Sequence, residues 1–409
     1  MTQIPPIVDF ADPTYDPFAA EDGVFGEISD IHARIDQLRT QGDVLEGSFM
    51  SLLGFDWPTD VPTFTLLSYD HVARSLTDFK AFSNECFKGT LGLTFGRTIS
   101  AMDPPEHPRY RRIFQKAFLP QNIARWGDEI VEVVVNDLVS KFRDQGKADL
   151  IDQFTKLYPF QVIYRLLDLP ERDGPIFHKL SAAQNMVYTP EGQEAASKLG
   201  EFFTRLVEER RRDPGGDLAS ALINVEVEGE KLPEDVIVSF LRQLINAAGD
   251  TTFRGTSVML TGLLTNPAQL EALRQDRSLM NQSIEEALRW DPPVTWTERT
   301  AAVDMQIDDI AIPAGSKIVP VLASANIDDA VFDHGETFDI FRKRTKPPII
   351  FAFGPHMCVG QHLARLEMTR AMTALLDRLP NLRLDPAMPG PVVRGAMLRY
   401  PKHLHVLFD

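Results

Sequence analysis

The sequence predicts a mainly helical domain with a minor strand-rich part, on three observations. One helical pattern, opened by Pro233-Glu234-Asp235 and closed before Asn266-Pro267, runs for roughly 30 residues, or about 45 Å of rod at about 1.5 Å per residue. Residues from about 122 to 225 read as successive amphipathic helices, interrupted at Leu169-Pro170, around Thr189-Pro190 and at Asp213-Pro214-Gly215-Gly216. Short strand-like runs such as Thr63–Leu67 mix with turns in the first hundred residues. No Gly/Ser-rich or charged linker divides the 409 residues, so a single domain over 1–409 is expected.

Composition bounds the class of partner. A formal charge of -16 at pH 7 argues against nucleic acid, because phosphate binding needs a basic surface. With Cys86 and Cys358 as the two cysteines, no disulfide framework is indicated and a reducing compartment is expected, although pairing of the two stays open. The segment Met1–Asp9 has neither a basic nor an apolar leader region, and no stretch approaches the roughly 20 apolar residues of a membrane span. A soluble, cytoplasmic, monomeric protein is the expectation.

Taken in order, Tyr69 to Leu76 reads as a short helix. The glycine-containing stretch from Cys86 to Ser100 carries Phe87, Leu91, Leu93, Phe95 and Ile99, is too apolar for a solvated connection, and is expected to pack over something. Pro104 and Pro105 then mark a helix start. In that helix His107 and Arg111, four apart, share one face, while Arg109, Arg112 and Lys116 concentrate positive charge in an acidic protein. The charge predicts a docking patch for an acidic partner. The break between Gln184 and Glu194 leaves Met186 and Tyr188 on a connection between two helices. In the long helix, Asn246-Ala247-Ala248-Gly249-Asp250-Thr251-Thr252 sets a glycine, a carboxylate and two hydroxyls at the middle of a buried rod, so local loosening of its hydrogen-bond ladder is expected. Glu286 and Arg289 lie three apart on one face at a helix end, just before Asp291-Pro292-Pro293.

The run Phe351-Ala352-Phe353-Gly354-Pro355-His356-Met357-Cys358-Val359-Gly360 leads into a last helical pattern from about Gln361. Met368, Met372, Leu375, Leu376 and Leu379 fall on one face of it. Cys358 thus sits at a helix N-terminus, where unpaired N–H groups and the helix dipole favour a thiolate, a good metal ligand. Gly354 and Gly360 let the backbone bend and approach a flat ligand. Two other readings of these residues are a buried structural cysteine, the common fate of a lone Cys, and a zinc site using His356, Cys358 and His362, for which no second ligand pair is evident.

This run resembles the cysteine loop of the cytochrome P450 family, Phe-x-x-Gly-x-(His or Arg)-x-Cys-x-Gly, and Phe351, Gly354, His356, Cys358 and Gly360 match every fixed position. The resemblance implies that Cys358 is the axial ligand of the iron of haem b, a thiolate that pushes electron density onto the metal and favours O–O cleavage, and that His356 contacts a haem propionate. The helix after Asp103-Pro104-Pro105 matches the family's His-x-x-x-Arg pair, which assigns His107 and Arg111 to the propionates, with Arg299 joining them. The family's central-helix pattern, Ala/Gly-Gly-x-Asp/Glu-Thr, is met by Ala247, Ala248, Gly249, Asp250 and Thr251, with Ala248 where glycine is usual. It implies an oxygen-binding groove beside the haem, with Asp250 and Thr251 delivering protons. Glu286 and Arg289 match Glu-x-x-Arg, and the segment Phe338–Arg342 resembles the one that completes a buried network of Glu286, Arg289 and Arg342. Family position also places Phe95, Ile99, Leu244, Ala247, Val294, Trp296 and Met397 around the substrate, with Met186 and Tyr188 near a lid.

The fold so implied is the P450 fold, with the long helix over the haem. The activity implied is monooxygenation: one atom of O2 enters an apolar, drug-sized organic substrate of terpenoid, steroid, fatty-acid or aromatic type, and the other leaves as water. Because no flavin or iron–sulfur cysteine pattern accompanies the loop, electrons are expected from a separate iron–sulfur ferredoxin and its reductase, as in the soluble bacterial branch of the family. A peroxygenase using hydrogen peroxide is the alternative within enzymes, and its relatives generally lack the acid–alcohol pair. A haem-based sensor or carrier is the alternative outside them.

Overall fold

Pro233 at the N-cap and two acids in the first turn start a 32-residue helix, Glu234–Thr265, and Asn266-Pro267 ends it. The computed structural model describes residues 4–57 and 59–409, and every residue of that helix from Thr252 to Leu264 is buried. The site is built by α1 (Pro17–Phe25), α2 (Tyr69–Thr77), α3 (Glu106–Ala117), α4 (Tyr158–Leu166), α5 (Gly174–Ala183), α6 (Pro190–Arg212), α7 (Glu234–Thr265), α8 (Met280–Trp290) and α9 (Gln361–Arg378). The long helix α7 packs against α4, α5, α6, α8 and α9. Its apolar side chains join a hydrophobic core that collects residues from Ile7 to Phe408.

The expected loosening of α7 does not occur: the helix is continuous through Asn246–Thr252. Two local devices explain this. Buried hydroxyls are satisfied inside the helix, with Thr251, Thr256, Ser257 and Thr261 each donating to the carbonyl four residues back at 2.8 Å. Gly249, for its part, makes room for a neighbour, since a Cβ there would lie 2.4 Å from the Phe160 ring of α4.

Strands are short and draw on distant parts of the chain. A five-stranded sheet runs Val44–Glu46, Thr63–Leu66, Lys317–Pro320, Arg299–Ala301, Phe82–Ser83. Lys317–Pro320 pairs parallel with Thr63–Leu66, and Arg299–Ala301 is flanked on both sides, by Lys317–Pro320 and by Phe82–Ser83. Arg299 therefore projects from an interior strand, whose direction is held from both edges. The stretch from Cys86 to Ser100, expected as an apolar loop, forms short helical turns at Glu85–Gly89, Leu91–Phe95 and Ile99–Ala101.

A buried charge cluster ties α8 to the segment before the cysteine loop. Arg289 donates to both carboxylate oxygens of Glu286 at 2.9 and 2.7 Å, and Arg342 donates to the same carboxylate at 3.1 Å. The remaining guanidinium N–H groups are taken up by backbone carbonyls, Arg289 by Asn326, Gly335 and Thr337 at 2.7, 2.6 and 3.0 Å, Arg342 by His334 and Thr337. The planar donor fork suits such pairing. Removing one partner of a buried pair leaves a charge uncompensated, at a cost of about 3–5 kcal/mol. Glu286→Gln should thus lower the urea midpoint by that amount of stability, and a midpoint within experimental error of the parent would show that the carbonyls alone hold the two arginines. Gly249→Ala, which forces a methyl group into the Phe160 ring, should also destabilise, by about 1–3 kcal/mol, and Phe160→Ala in the same chain should recover part of that loss.

Candidate functional site

The cysteine loop is a strained turn held against α2. Gly354 has φ 69°, and a Cβ on it would lie 2.4 Å from the Leu76 carbonyl oxygen, so this glycine is required twice over. Gly360 is not: its φ is -87° and the nearest atom to an added Cβ is the Cys358 sulfur at 3.9 Å. The turn closes with Met357 N–H on the Gly354 carbonyl at 3.1 Å and Cys358 N–H on the Phe351 carbonyl at 2.9 Å. The Arg365 guanidinium lies 4.4 Å from the Phe351 ring centre.

Cys358 faces an internal cavity of about 390 Å³, bounded by this loop, α7, α9 and the Arg299 strand. Its surface is open to the cavity while the residue lies deep in the protein. Burial raises the thiol pKa and outweighs the N–H groups of Gly360 and Gln361 and the charges of Arg111 and Arg365, which lower it. The helix N-terminus alone therefore does not make the thiolate, contrary to the sequence expectation, because desolvation of an anion in an apolar cavity costs more than the helix end returns. A cation on the sulfur has to supply the difference.

Four nitrogen-bearing side chains gather around the same cavity. His107 and Arg111 reach it from α3, Arg299 from its strand and His356 from the loop. The rings of His107 and His356 are 3.9 Å apart. His107 Nε2 and Arg111 Nε are buried without a partner. Arg111 bonds the Met357 carbonyl, and Arg299 donates to the Glu298 carbonyl at 2.6 Å. Among the described residues neither arginine has a carboxylate within salt-bridge distance. Burial lowers the pKa of both, and burial together with neighbouring cations pushes His107 down to about 4 and His356 lower still. Buried cations without protein counter-charge fit an anionic ligand, and a soft sulfur in the same wall fits a transition metal. Together these donors fit a haem with its two propionates.

The α7 face toward the cavity is Leu244, Ala247, Ala248, Thr251 and Thr252, one helical stripe. Asp250 is not on it. Its carboxylate, 2% exposed, receives the Nε of Arg254 at 3.0 Å on both oxygens, and Arg254 in turn donates to Glu21 of α1 at 2.6 Å. Asn185, just past α5, donates to Glu21 at 2.9 Å and to Asp250 at 3.4 Å.

Of the residues expected at the substrate, Ile99, Leu244, Ala247 and Val294 line the cavity; Phe95, Trp296 and Met397 do not. Trp296 packs edge-on against Trp57 in a separate core with Met397 beside it, and Phe95 is 3% exposed at the end of its short helix. The sequence places these side chains near the site but not the direction they point, which depends on packing across the fold. Met186 is buried core and Tyr188 is exposed; neither reaches the cavity. Phe87, Leu91, Thr252, Thr297 and Glu367 do reach it and were not anticipated at the site. Glu367 is buried, has one oxygen unpartnered and has its pKa raised well above the usual range by burial. Its signal was visible as an acid on the apolar face of α9.

Two further expectations are corrected. The basic residues of α3 are not a free patch: Arg109 and Arg112 pair with Glu230 at 3.0 and 2.9 Å, Arg112 also with Glu228, and Lys116 donates to the Glu226 carbonyl. The Glu226–Lys231 hairpin, 110 residues or more away in sequence, neutralises the charge. The zinc alternative fails too, since among the described residues the one trio of potential ligands within 4.8 Å of one another is Asp149, His403 and His405, on the Lys147–Asp149 and His405–Leu407 strands and the residues beside them. Cys86 and Cys358 are both free, and burial pushes the Cys86 thiol up to about 12.

Comparison with known proteins agrees with this geometry. Residues 185–387 match the family model for cytochrome P450. The chain is 31% identical over 354 residues to the cytochrome P450 monooxygenase PikC of Streptomyces venezuelae, covering 83% of this chain and 84% of the relative. It is 32% identical over 304 residues to the vitamin D3 dihydroxylase of Streptomyces griseolus, covering 72% and 74%. Among solved structures, CYP109E1 from Bacillus megaterium in complex with testosterone superposes with a TM-score of 0.80 at 26% identity, covering 92% of this chain and 99% of that one. A mostly helical fold with small sheets, a cysteine loop under a long helix and relatives spanning most of its length together establish that the chain belongs to the cytochrome P450 family of haem-iron monooxygenases.

Proposed function

We propose that the protein binds haem b with Cys358 as the iron ligand and hydroxylates an apolar, steroid-like substrate with electrons from a separate ferredoxin and its reductase. The observation that carries the reading is the one thiol facing the cavity among four nitrogen-bearing side chains, two of them arginines without a carboxylate partner. When bound, the haem supplies activation of O2, one atom of which goes to the substrate and the other to water. His107, Arg111, Arg299 and His356 hold its carboxylates. The apolar wall of Ile99, Leu244, Ala247 and Val294 receives the substrate, held mainly by burial. The vitamin D3 and testosterone named for the two relatives are largely apolar molecules that such a wall suits.

Thr251 lies on the cavity side of α7, and its hydroxyl donates to the Ala247 carbonyl at 2.8 Å, which leaves the oxygen able to accept from the cavity. In this reading it holds a proton toward the reacting oxygen, and Asp250, one residue back and turned away, resupplies it. To do so, Asp250 must rotate out of its grip on Arg254. Ala248 puts a methyl group into this stretch of the wall and narrows it.

Three measurements test the reading. The carbon monoxide complex of the reduced protein should show the red-shifted Soret band of a thiolate haem, and Cys358→His should abolish it; a band that survives that change would remove Cys358 as ligand. Positioned proton transfer is typically worth about 10²–10⁴-fold, so Thr251→Ala should still take up substrate and electrons yet divert most reducing equivalents to hydrogen peroxide, while Asp250→Asn slows turnover within that range. Unchanged coupling in the first and an unchanged rate in the second would leave the pair with a structural role alone. Val294→Ala should alter product distribution at parental stability. Trp296→Ala should instead cost about 3–5 kcal/mol of stability, and the reverse pattern would exchange their assignments.

A further inference from the structure

We propose that Glu21, in the N-terminal helix α1, stores the proton that Asp250 passes toward the cavity, and so acts as a positioning residue for proton supply through Asp250. The inference rests on the proton-relay reading of Asp250 and adds to it a residue from the opposite end of the chain.

The geometry is a buried cluster with one positive and two negative groups. Arg254, fully buried, gives its Nε to both oxygens of Asp250 at 3.0 Å and its Nη2 to Glu21 at 2.6 Å, while its Nη1 has no protein partner. Glu21 and Asp250 are 4% and 2% exposed. Asn185 joins the two acids, one amide nitrogen reaching Glu21 at 2.9 Å and Asp250 at 3.4 Å. With both carboxylates ionised the cluster would carry a net negative charge out of water, which is costly. One added proton removes that charge, and the environment decides which acid takes it. Arg254 shares its one Nε–H between both oxygens of Asp250 and meets a single oxygen of Glu21 through Nη2. That leaves the second Glu21 oxygen off the guanidinium, and Glu21 is the acid we assign the proton.

The groups around Glu21 agree. Asp250 and Arg254 face it from α7 and Asn185 from the connection after α5; the Tyr400 and Tyr15 phenols lie near enough to feel its charge, and Asp22 neighbours it on α1. Of the lysines nearby, Lys156 pairs with Asp152 at 3.1 Å over the rings of Phe18 and Tyr400, and Lys402 pairs with Asp22 at 2.8 Å. Burial and Asp250 raise the Glu21 pKa, Arg254 and Asn185 lower it, and the balance leaves it at about 7. The direction of the shift favours a protonated Glu21 in this cluster, and the store empties as pH rises.

In the transfer the Glu21 carboxyl and an Asp250 oxygen, both within reach of the one Asn185 amide nitrogen, come into direct contact. The O–H bond on Glu21 breaks and one on Asp250 forms, while Arg254 keeps its charge. Asp250, now neutral, loses its ionic hold on Arg254 and is free to turn toward Thr251. Glu21, now a carboxylate, keeps Arg254 and takes its next proton from bulk water. No other protonatable group in the cluster offers this exchange, because Asn185 has no proton to give up and Arg254 keeps its own.

The test has two arms on the haem-loaded, full-length protein. Infrared difference spectra across a pH titration should show the carbonyl stretch of a buried protonated carboxyl that disappears as pH rises through about 7. The band should be absent in Glu21→Gln and shifted in frequency in Glu21→Asp. In kinetics, Glu21→Gln should lower product formed per NAD(P)H by about tenfold, short of the roughly 10²–10⁴ carried by a group acting at the reacting atoms, and should lose the ionisation near 7 from the pH profile; Glu21→Asp should restore that ionisation and part of the coupling. Where Glu21→Gln fails to fold, the parent titration and the Glu21→Asp shift decide alone. A missing band, or one that persists without Glu21, overturns the proposal and leaves the Asp250 reading standing. A titrating Glu21 band together with unchanged turnover in Asp250→Asn overturns the relay reading, and this proposal falls with it.

Discussion

The carboxylate of Glu286 binds two buried arginines, and the position of the cysteine loop follows from that contact. Arg289 and Arg342 spend their remaining donors on the carbonyls of residues 326–337, which locks an irregular stretch that has no strand or helix to hold it. Within it Asn326 exchanges two hydrogen bonds with the backbone of Ile349, at 3.1 and 2.7 Å. Two residues further on, Phe351 accepts the N–H of Cys358. A salt bridge on α8 thus bears, through a chain of backbone and Asn326 side-chain hydrogen bonds, on where the Cys358 sulfur stands.

Three buried charge clusters of different balance divide the work of the site. Glu286 with two arginines is closed: carbonyls absorb the excess positive charge, and nothing is left to bind. The His107, Arg111, Arg299 and His356 group is open, with guanidinium charge unmatched by any carboxylate and nitrogens unpartnered, which is the condition for receiving an anionic cofactor. The Glu21, Asp250 and Arg254 group errs toward negative charge, which a proton corrects. Whether such a cluster is a structural fixture, a binding site or a proton store follows from counting its charges against its partners. The identity of the residues alone does not decide it.

The α7 helix shows how a sequence signal can be correct about chemistry and mistaken about shape. Glycine, an acid and hydroxyls in mid-helix suggested a loosened ladder. In the fold each has a separate explanation: the hydroxyls bond back within the helix, the acid finds Arg254 one turn on, and the glycine exists for Phe160. The basic run of α3 was misleading in the same way, since its neutralising acids come from the Glu226–Lys231 hairpin.

Periodicity, proline and capping residues determined helix starts by themselves, because these are local: α7, α3 and α9 begin where Pro233, Pro104-Pro105 and Gly360 predict to within a residue or two, and α7 ends at Asn266-Pro267. The residues Phe351 to Gly360 determined the cysteine loop, because a turn under these steric limits tolerates few sequences. Only the tertiary structure decided which side chains meet across that frame. Strand partners such as Thr63–Leu66 and Lys317–Pro320 lie some 250 residues apart, and only the packed fold sends Val294 to the cavity and Trp296 to a separate core. Glu21 meets Arg254 across 233 residues, a contact that no spacing rule encodes, because it exists only once α1 has packed over the middle of α7.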